Sequence, residues 1–292
     1  MGFLLDVGVA GTLVAALGLA CGLVYGVLGV MDLTLGVRVT VGAYAGWWVC
    51  NALGPEAYPL NMPLAWLLAA VAGAASGAGA WVMLRPLASA GPLVVLVGSL
   101  GLQEAAQAVL LIQFGSSPRV FSGYPSEEGI DIVGTTATPL DLVALAVTSA
   151  AVLLVAVGLR RTRVGTMLIA TGQDPAYAQA GLGLPVRRLE WAVMLSTGAL
   201  LGVAGFLYGV GRGVAPETGS REALLAFVAT VSAGKRRPIL SAVTATALIG
   251  AGMLAIRSAL PSSTEPIVPL VLVLIALLIR PEGLFAKPTR SV

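Results

Sequence analysis

The sequence predicts an all-α fold: a polytopic transmembrane helical bundle of eight or nine membrane segments, with the N-terminus outside and the C-terminus inside. Three observations predict it. The chain is 57% hydrophobic and only 11% charged, with a mean hydropathy of +0.93, whereas soluble domains carry about 25% charge. Several apolar runs reach about 20 residues, the length that crosses a hydrocarbon core of roughly 30 Å. These runs are continuous, which excludes the alternating pattern of a β-barrel. The 37 glycines suit helices that approach closely in lipid.

In chain order the apolar segments are 7–30, 36–53, 64–84, 92–113, 140–159, 190–211, 222–234, 238–257 and 266–279. The first has no basic stretch before it, so it reads as a retained span and not a cleaved signal. Segments 222–234 and 266–279 are short for a full crossing; each extends, tilts or enters as a half-helix. Nine crossings with the N-terminus outside leave thirteen basic residues inside, including Arg38, Arg85, the Arg160–Arg163 group and Lys235–Arg237. They leave four outside: Arg119, Arg212, Arg221 and Arg257. That bias sets the orientation. The outside loop, about 114–139, carries Glu127, Glu128 and Asp131 among prolines and glycines, and reads as an ordered acidic surface loop. The chain 1–292 is expected to be one transmembrane domain with no soluble domain.

The chain has no histidine, which removes histidine-based general-base chemistry and most zinc sites. No nucleophile–base pair or metal cluster is visible, so an enzyme is the weakest reading. Cys21 and Cys50 fall in apolar runs and read as small buried hydrophobes. There is no phosphate loop of the form G-x-x-x-x-G-K-[ST]. If ATP drives this protein, another chain binds it.

The loop of about 160–189 carries five of the 17 basic residues. Residues 162–170 lack proline and form a short helix. Asp174-Pro175 is a helix start, with Asp as N-cap and Pro at the first position. That helix runs 175–180 and stops at Gly181 or Gly183. A short helix on the membrane face has the shape to receive a push from a soluble partner; a basic loop that only sets topology and touches lipid headgroups is the competing reading.

Inside a span, Glu104 lies between Gln103 and Gln107. A carboxylate at that depth costs a few kcal/mol unless it faces a cavity or a partner. It either lines a path for a cationic group or makes an interhelical hydrogen bond. Asp32, Thr34 and Arg38 occupy the break between the first two spans, and Lys235–Arg237 a similar break before 238–257. Paired breaks line the path in many transporters, although both also read as plain cytoplasmic turns. Glu217, Arg221 and Glu222 read as charges of an outside loop. The five tryptophans lie mostly near span ends, as in an aromatic belt.

Several stretches in order resemble one family. They are Gly22-Leu23-Val24-Tyr25-Gly26, Gly42-Ala43-Tyr44, Arg85-Pro86-Leu87, Gly91-Pro92-Leu93, Ser99-Leu100-Gly101-Leu102 and Phe114-Gly115. Further on come Arg161-Thr162-Arg163-Val164-Gly165, Gln173-Asp174-Pro175, and Arg280-Pro281-Glu282-Gly283-Leu284-Phe285. The chain is similar to the shorter permease subunit of bacterial branched-chain amino acid ABC importers. The resemblance implies a coupling role toward an ATPase for Arg163, Gly165, Gln173, Asp174 and Pro175. Translocation-pathway candidates are Asp32, Thr34, Tyr44, Gln103, Glu104 and Gln107.

It also implies a second permease subunit, two ATP-binding subunits, an extracytoplasmic substrate-binding protein and surrounding lipid as partners, with no nucleic acid. ATP and Mg²⁺ would sit on those partners, with no cofactor on this chain, in the bacterial inner membrane. Three stretches depart from the family pattern: Asp32-Leu33-Thr34-Leu35-Gly36 stands where relatives read close to Asn-Phe-Ala-His-Gly, Ser232–Pro238 replaces a glycine-rich turn, and Thr166 and Ile169 stand where relatives often carry arginines. Urea, amides or sugars are alternative cargoes. An ion-coupled secondary transporter using Glu104 is the alternative class.

Overall fold

Twelve short or long elements follow one another in the computed structural model, which describes residues 2–54, 56, 61–121, 130–132, 135–137 and 139–233, with isolated positions 239, 243, 244, 246, 247 and 271. The helices are α1 (Gly2–Leu28), α2 (Leu35–Leu53), α3 (Asn61–Leu84), α4 (Pro92–Phe114), α5 (Pro139–Arg161), α6 (Arg163–Gln173), α7 (Pro175–Ala180), α8 (Val186–Arg212) and α9 (Ser220–Ala233), with a 3₁₀ turn at Arg85–Ala90. One antiparallel hairpin, β1 (Ile130–Ile132) and β2 (Thr135–Ala137), interrupts the helical pattern within the expected outside loop. Apart from those isolated positions, the expected spans 238–257 and 266–279, the Lys235–Arg237 break, Glu127, Glu128 and the Arg280–Phe285 stretch lie outside the described residues.

Five helices among the described residues are long and apolar enough to cross a membrane: those at Gly11–Leu28, Asn61–Ala90, Pro92–Phe114, Leu142–Arg161 and Val186–Arg212. The 19-residue α2, which carries Arg38, is not among them. Helix α9 spans 14 described residues, about 21 Å at 1.5 Å per residue, shorter than a hydrocarbon core of roughly 30 Å.

Helix α8 is the axis of the bundle. It packs along α3 and α2, and more lightly on α1 and α5. Small residues make this possible. Gly198, Gly202, Gly205 and Gly209 line the buried side of α8, and Ala69, Gly73 and Gly77 line α3 at intervals of four. A Cβ on Gly202 would overlap the backbone of Ala69, one on Gly42 would overlap Gly202, and one on Gly77 would lie 2.6 Å from the Met194 carbonyl oxygen. These are small-xxx-small contacts, which bring helix backbones together where lipid offers no hydrophobic drive. Larger side chains fill in around them: Leu13, Leu17, Leu35, Val39 and Leu201 in one cluster, and Tyr44, Met62, Phe121, Phe206 and Val210 in another.

The pairing fixes helix directions. On α2 and α8, Arg38 meets Thr197 and Gly42 meets Gly202, so these two run parallel. On α3 and α8, Gly73 meets Gly198 and Gly77 meets Met194, so these run antiparallel. One end of the bundle therefore carries α6, α7 and Arg85, Arg160, Arg161, Arg163, Arg187 and Arg188. At the opposite end, Arg119 and Val214 exchange backbone hydrogen bonds of 2.8 Å each, tying the segment after α4 to the segment after α8. The Arg119 guanidinium also lies over the Trp47 ring at 5.5 Å.

Trp48, near the end of α2, is exposed as a belt residue would be, whereas Trp81 parts from the belt expectation and is buried among Val24, Leu84, Val95 and Met194. Cys21 and Cys50 are both buried and neither is in a disulfide, as expected of small hydrophobes.

Candidate functional site

The break between α1 and α2 is not a surface turn. Gly29 takes a left-handed φ of 72° and ends α1, with its N–H donating to the Tyr25 carbonyl at 3.1 Å. The chain then runs into the protein. Asp32, Thr34 and Arg38 are all at most 3% exposed. The Thr34 N–H and hydroxyl both donate to Asp32 Oδ1, at 2.8 Å and 2.6 Å. The Arg38 guanidinium pairs with Asp32 Oδ2, and also donates to Thr34 Oγ1 at 3.2 Å and Thr197 Oγ1 at 3.3 Å.

Arg38 was counted among the inside basic residues that set orientation, and the structure corrects this. It is fully buried and level with Met194 and Thr197, which lie 8 and 11 residues into α8, about 12–16 Å from its start. A cation there is held by a carboxylate and hydroxyls, not by a charged membrane surface.

Helix α4 pins this break from the side. Ser99 and Gln103 are two of its three buried residues. Ser99 Oγ accepts from the Leu33 N–H at 3.1 Å, and Gln103 Oε1 accepts from the Val37 N–H at 3.1 Å. The second bond satisfies one of the N–H groups that the first turn of α2 leaves open.

The segment between α8 and α9 closes the site from above. The Thr40 hydroxyl bonds to the Thr218 carbonyl. Gly219, at φ 90°, lies so near α2 that a Cβ there would come within 2.9 Å of the Gly36 carbonyl oxygen. Gly36 is as tight: its Cβ would lie 2.8 Å from Gln103 Nε2. The first turns of α2 and α9 thus meet inside the bundle. The 32–38 break meets the segment 213–220, which the segment boundaries place in an outside loop; the other expected break, 235–237, lies outside the described residues.

A pocket of about 340 Å³ opens beside this junction, between α4 and the start of α9. Its polar lining is Gln103, Glu104, Gln107, Glu217, Ser220 and Arg221. Ser220 joins the two glutamines: Gln103 Nε2 donates to its Oγ at 2.8 Å, and its hydroxyl donates to Gln107 Oε1 at 3.0 Å. So Gln103, Glu104 and Gln107 do share a site, as their helical spacing predicts. Tyr44 is not part of that lining. It stacks on Phe114 with ring centroids 4.1 Å apart and belongs to the aromatic cluster with Phe121 and Phe206.

At the other end of the bundle, the 160–189 stretch folds as two short helices. Thr162 caps α6, its hydroxyl accepting from the Gly165 N–H at 3.1 Å. Asp174 ends α6 and caps α7, accepting from the Tyr177 N–H at 2.9 Å. Pro175 occupies the first turn of α7, as its fixed φ favours. Gly181 and Leu182 both donate to the Tyr177 carbonyl, and Gly183 at φ 65° turns the chain toward α8.

Helix α6 runs three residues past the expected end at 170, because Thr171 and Gly172 are buried. A Cβ on Gly172 would overlap the Gly26 carbonyl of α1. Gly165 is likewise packed against Gly158 and Leu159 of α5. Arg163, Gln173, Asp174 and Pro175 are exposed, with Val164, Ile169 and Tyr177 beside them.

The family described as "Branched-chain amino acid transport system / permease component" matches residues 3–278. The chain belongs to this family. LivH, described as a high-affinity branched-chain amino acid transport system permease protein, is 26% identical in Salmonella typhimurium and 27% identical in Escherichia coli K12. Each match covers 95% of this chain and 92% of the relative. A solved structure described as PsaBC from Streptococcus pneumoniae in complex with Fab matches over 98% of this chain and 94% of that one, at 14% identity and a TM-score of 0.49.

As an ABC permease of this family, the chain is a multi-pass membrane subunit of a bacterial importer and is not catalytic. The family implies ATPase and binding-protein partners. The ion-coupled reading of Glu104 has no support from this membership.

The main residues that sequence reasoning missed are Ser99, Thr197, Thr218 and Ser220. Each is a small hydroxyl or its carbonyl within an otherwise apolar or glycine-rich stretch. Ser220 had a local signal, since Gly219-Ser220 opens a helix. The others are identified only by what they touch.

Proposed function

We propose that residues 1–292 form a single permease domain of an ABC importer for branched-chain or similar small amino acids. It pairs with a second, related permease, two ATP-binding subunits that carry ATP and Mg²⁺, and an extracytoplasmic substrate-binding protein. Lipid surrounds it and no nucleic acid is bound. The N-terminus lies outside and the C-terminus inside. The α6–α7 end, with six arginines, then faces the cytoplasm, in keeping with the preference of short basic loops for that side.

The observation that carries this reading is the α6–α7 elbow. Two capped helices share one residue, Asp174, as C-terminal and N-terminal cap. The elbow is seated on α1 through Gly172 and Gly26. Its outer face presents Arg163, Gln173, Asp174 and Pro175, and Gly165 holds it to α5. An ATP-binding subunit that presses on this face moves a rigid body. That motion passes to α1, whose end leads into the Asp32–Arg38 break. The pathway runs past Asp32, Thr34, Gln103, Glu104 and Gln107, with Tyr44 supporting the same wall from the aromatic cluster.

Replacing Asp174 and Pro175 together with alanine tests the coupling. Losing an N-cap costs a helix about 1 kcal/mol, enough to fray a six-residue helix. Uptake per ATP hydrolysed in the reconstituted complex is expected to fall several-fold, or the ATP-binding subunits to co-purify poorly. An unchanged ratio with full assembly would remove the coupling role. In the same assay, preference for urea, a short amide or a sugar over leucine would reassign the cargo and leave the importer class standing.

A further inference from the structure

We infer that the pocket between α4 and α9 is a subsite for a zwitterion, in which Arg221 receives the carboxylate of a free amino acid and Glu104 with Glu217 receives its ammonium group. This inference rests on the importer reading above and names what the pathway recognises.

Charge pattern is the first ground. Glu104, Glu217 and Arg221 line one pocket of about 340 Å³, although 113 to 117 residues separate Glu104 from the other two. Among the described residues, none of the three side chains has an ion-pair or hydrogen-bond partner, although the Glu217 backbone carbonyl accepts from the Ser220 N–H at 3.0 Å. In a membrane-embedded chain, charged groups persist where they face a water-filled cavity or a charged partner. The other exposed residues of α4 are uncharged, most of them apolar such as Leu93, Val97 and Ile112, so Glu104 is the one charged residue on its helix.

The neighbouring amides are already engaged. Gln103 serves the Val37 N–H and Ser220, and Gln107 accepts from Ser220. That network sets the spacing of α4 and α9 and leaves the three charged groups open to a ligand. Opposite charges on one wall suit a molecule that carries both signs. An uncharged amide or a sugar would leave all three groups unmatched, which is how polar sites reject the wrong ligand.

Arg221 also sits in the first turn of α9, where helix N–H groups favour an anion. Its planar fork matches a carboxylate. Leu33, Leu100 and Leu224 complete the pocket and offer an apolar surface to an aliphatic side chain. The volume falls within the range of small-molecule sites.

The test is leucine uptake by the full importer in proteoliposomes, at saturating L-leucine and binding protein. Glu104→Gln and Arg221→Gln are each expected to lower maximal uptake about tenfold, the scale of one lost charge-assisted hydrogen bond. Glu104→Asp and Arg221→Lys, which keep the charge, should retain most of it. Co-purification with both partner types and stimulation of ATP hydrolysis by the binding protein should persist in all four variants.

Wild-type uptake in either neutral variant would overturn the subsite. So would loss of the second permease, which would make these charges an inter-subunit pair, or loss of ATPase stimulation, which would make Arg221 a docking residue. A wild-type complex that does not move leucine would instead overturn the cargo reading and this inference with it.

Discussion

Replacing Arg38 with glutamine is expected to cost the folded permease about 3–5 kcal/mol, because it strands the Asp32 carboxylate in the interior. Asp32→Asn should cost a similar amount by stranding the guanidinium. The two groups are at most 1% exposed, and Thr34 and Thr197 are already committed to them. Water cannot replace the lost partner. The double variant Asp32→Asn with Arg38→Met removes both charges and should recover much of the loss, since a buried pair contributes little net stability over an apolar pair.

Melting of the detergent-solubilised protein reads this as a double-mutant cycle. The expected result is two unstable single variants and a partly restored double variant. Additive losses would show that the pair is not what holds the α1–α2 break. Uptake should remain low in the double variant, because the break also positions Leu33 against Ser99 and the pocket.

The second large effect is at Gly202. This residue meets Ala69 and Gly73 of α3 and Gly42 of α2 at once. Gly202→Val places branched carbons inside the α3 backbone at Ala69. Overpacking costs about 1–3 kcal/mol where neighbours can shift, and here the neighbours are main chain. The expected outcome is loss of the monodisperse solubilised species, read by size-exclusion chromatography with intact membrane expression. Gly158→Ala is the contrasting variant, because a Cβ there meets open space; it should behave as wild type. Equal behaviour of the two would mean that α8 does not pack as described.

Much of the helical layout was legible in the sequence, for local reasons. Helix α7 occupies the expected 175–180, because Asp174-Pro175 at one end and Gly181–Gly183 at the other act within a few residues. Helix α4 begins at Pro92 as expected and ends one residue beyond the expected 113, where Gly115 closes it with its N–H on the Leu111 carbonyl. Helix α9 begins two residues earlier than expected, at Ser220. Its start depends on Gly219, whose left-handed backbone follows from contact with α2.

The site was legible only in fragments. Gln103, Glu104 and Gln107 share a face by helical spacing alone, and Asp32 and Thr34 stand out as polar residues in an apolar chain. Nothing in the sequence joins Glu104 to Glu217 and Arg221. An outside loop is the natural reading of 213–221, since it follows a long span and contains charges. The return of that segment into the bundle depends on Thr218 reaching Thr40 and on Gly219 lying against Gly36.

The sequence by itself determined that the chain is a helical membrane protein, where most of its spans lie, which end is basic, and that a capped elbow joins α5 to α8. These follow from hydropathy, from charge and from capping, which act within one or two helical turns. Tertiary structure alone decided that Arg38 is an interior cation and that two distant segments make one pocket. Both depend on helix backbones brought together by glycines, and neither composition nor periodicity records which glycine faces which.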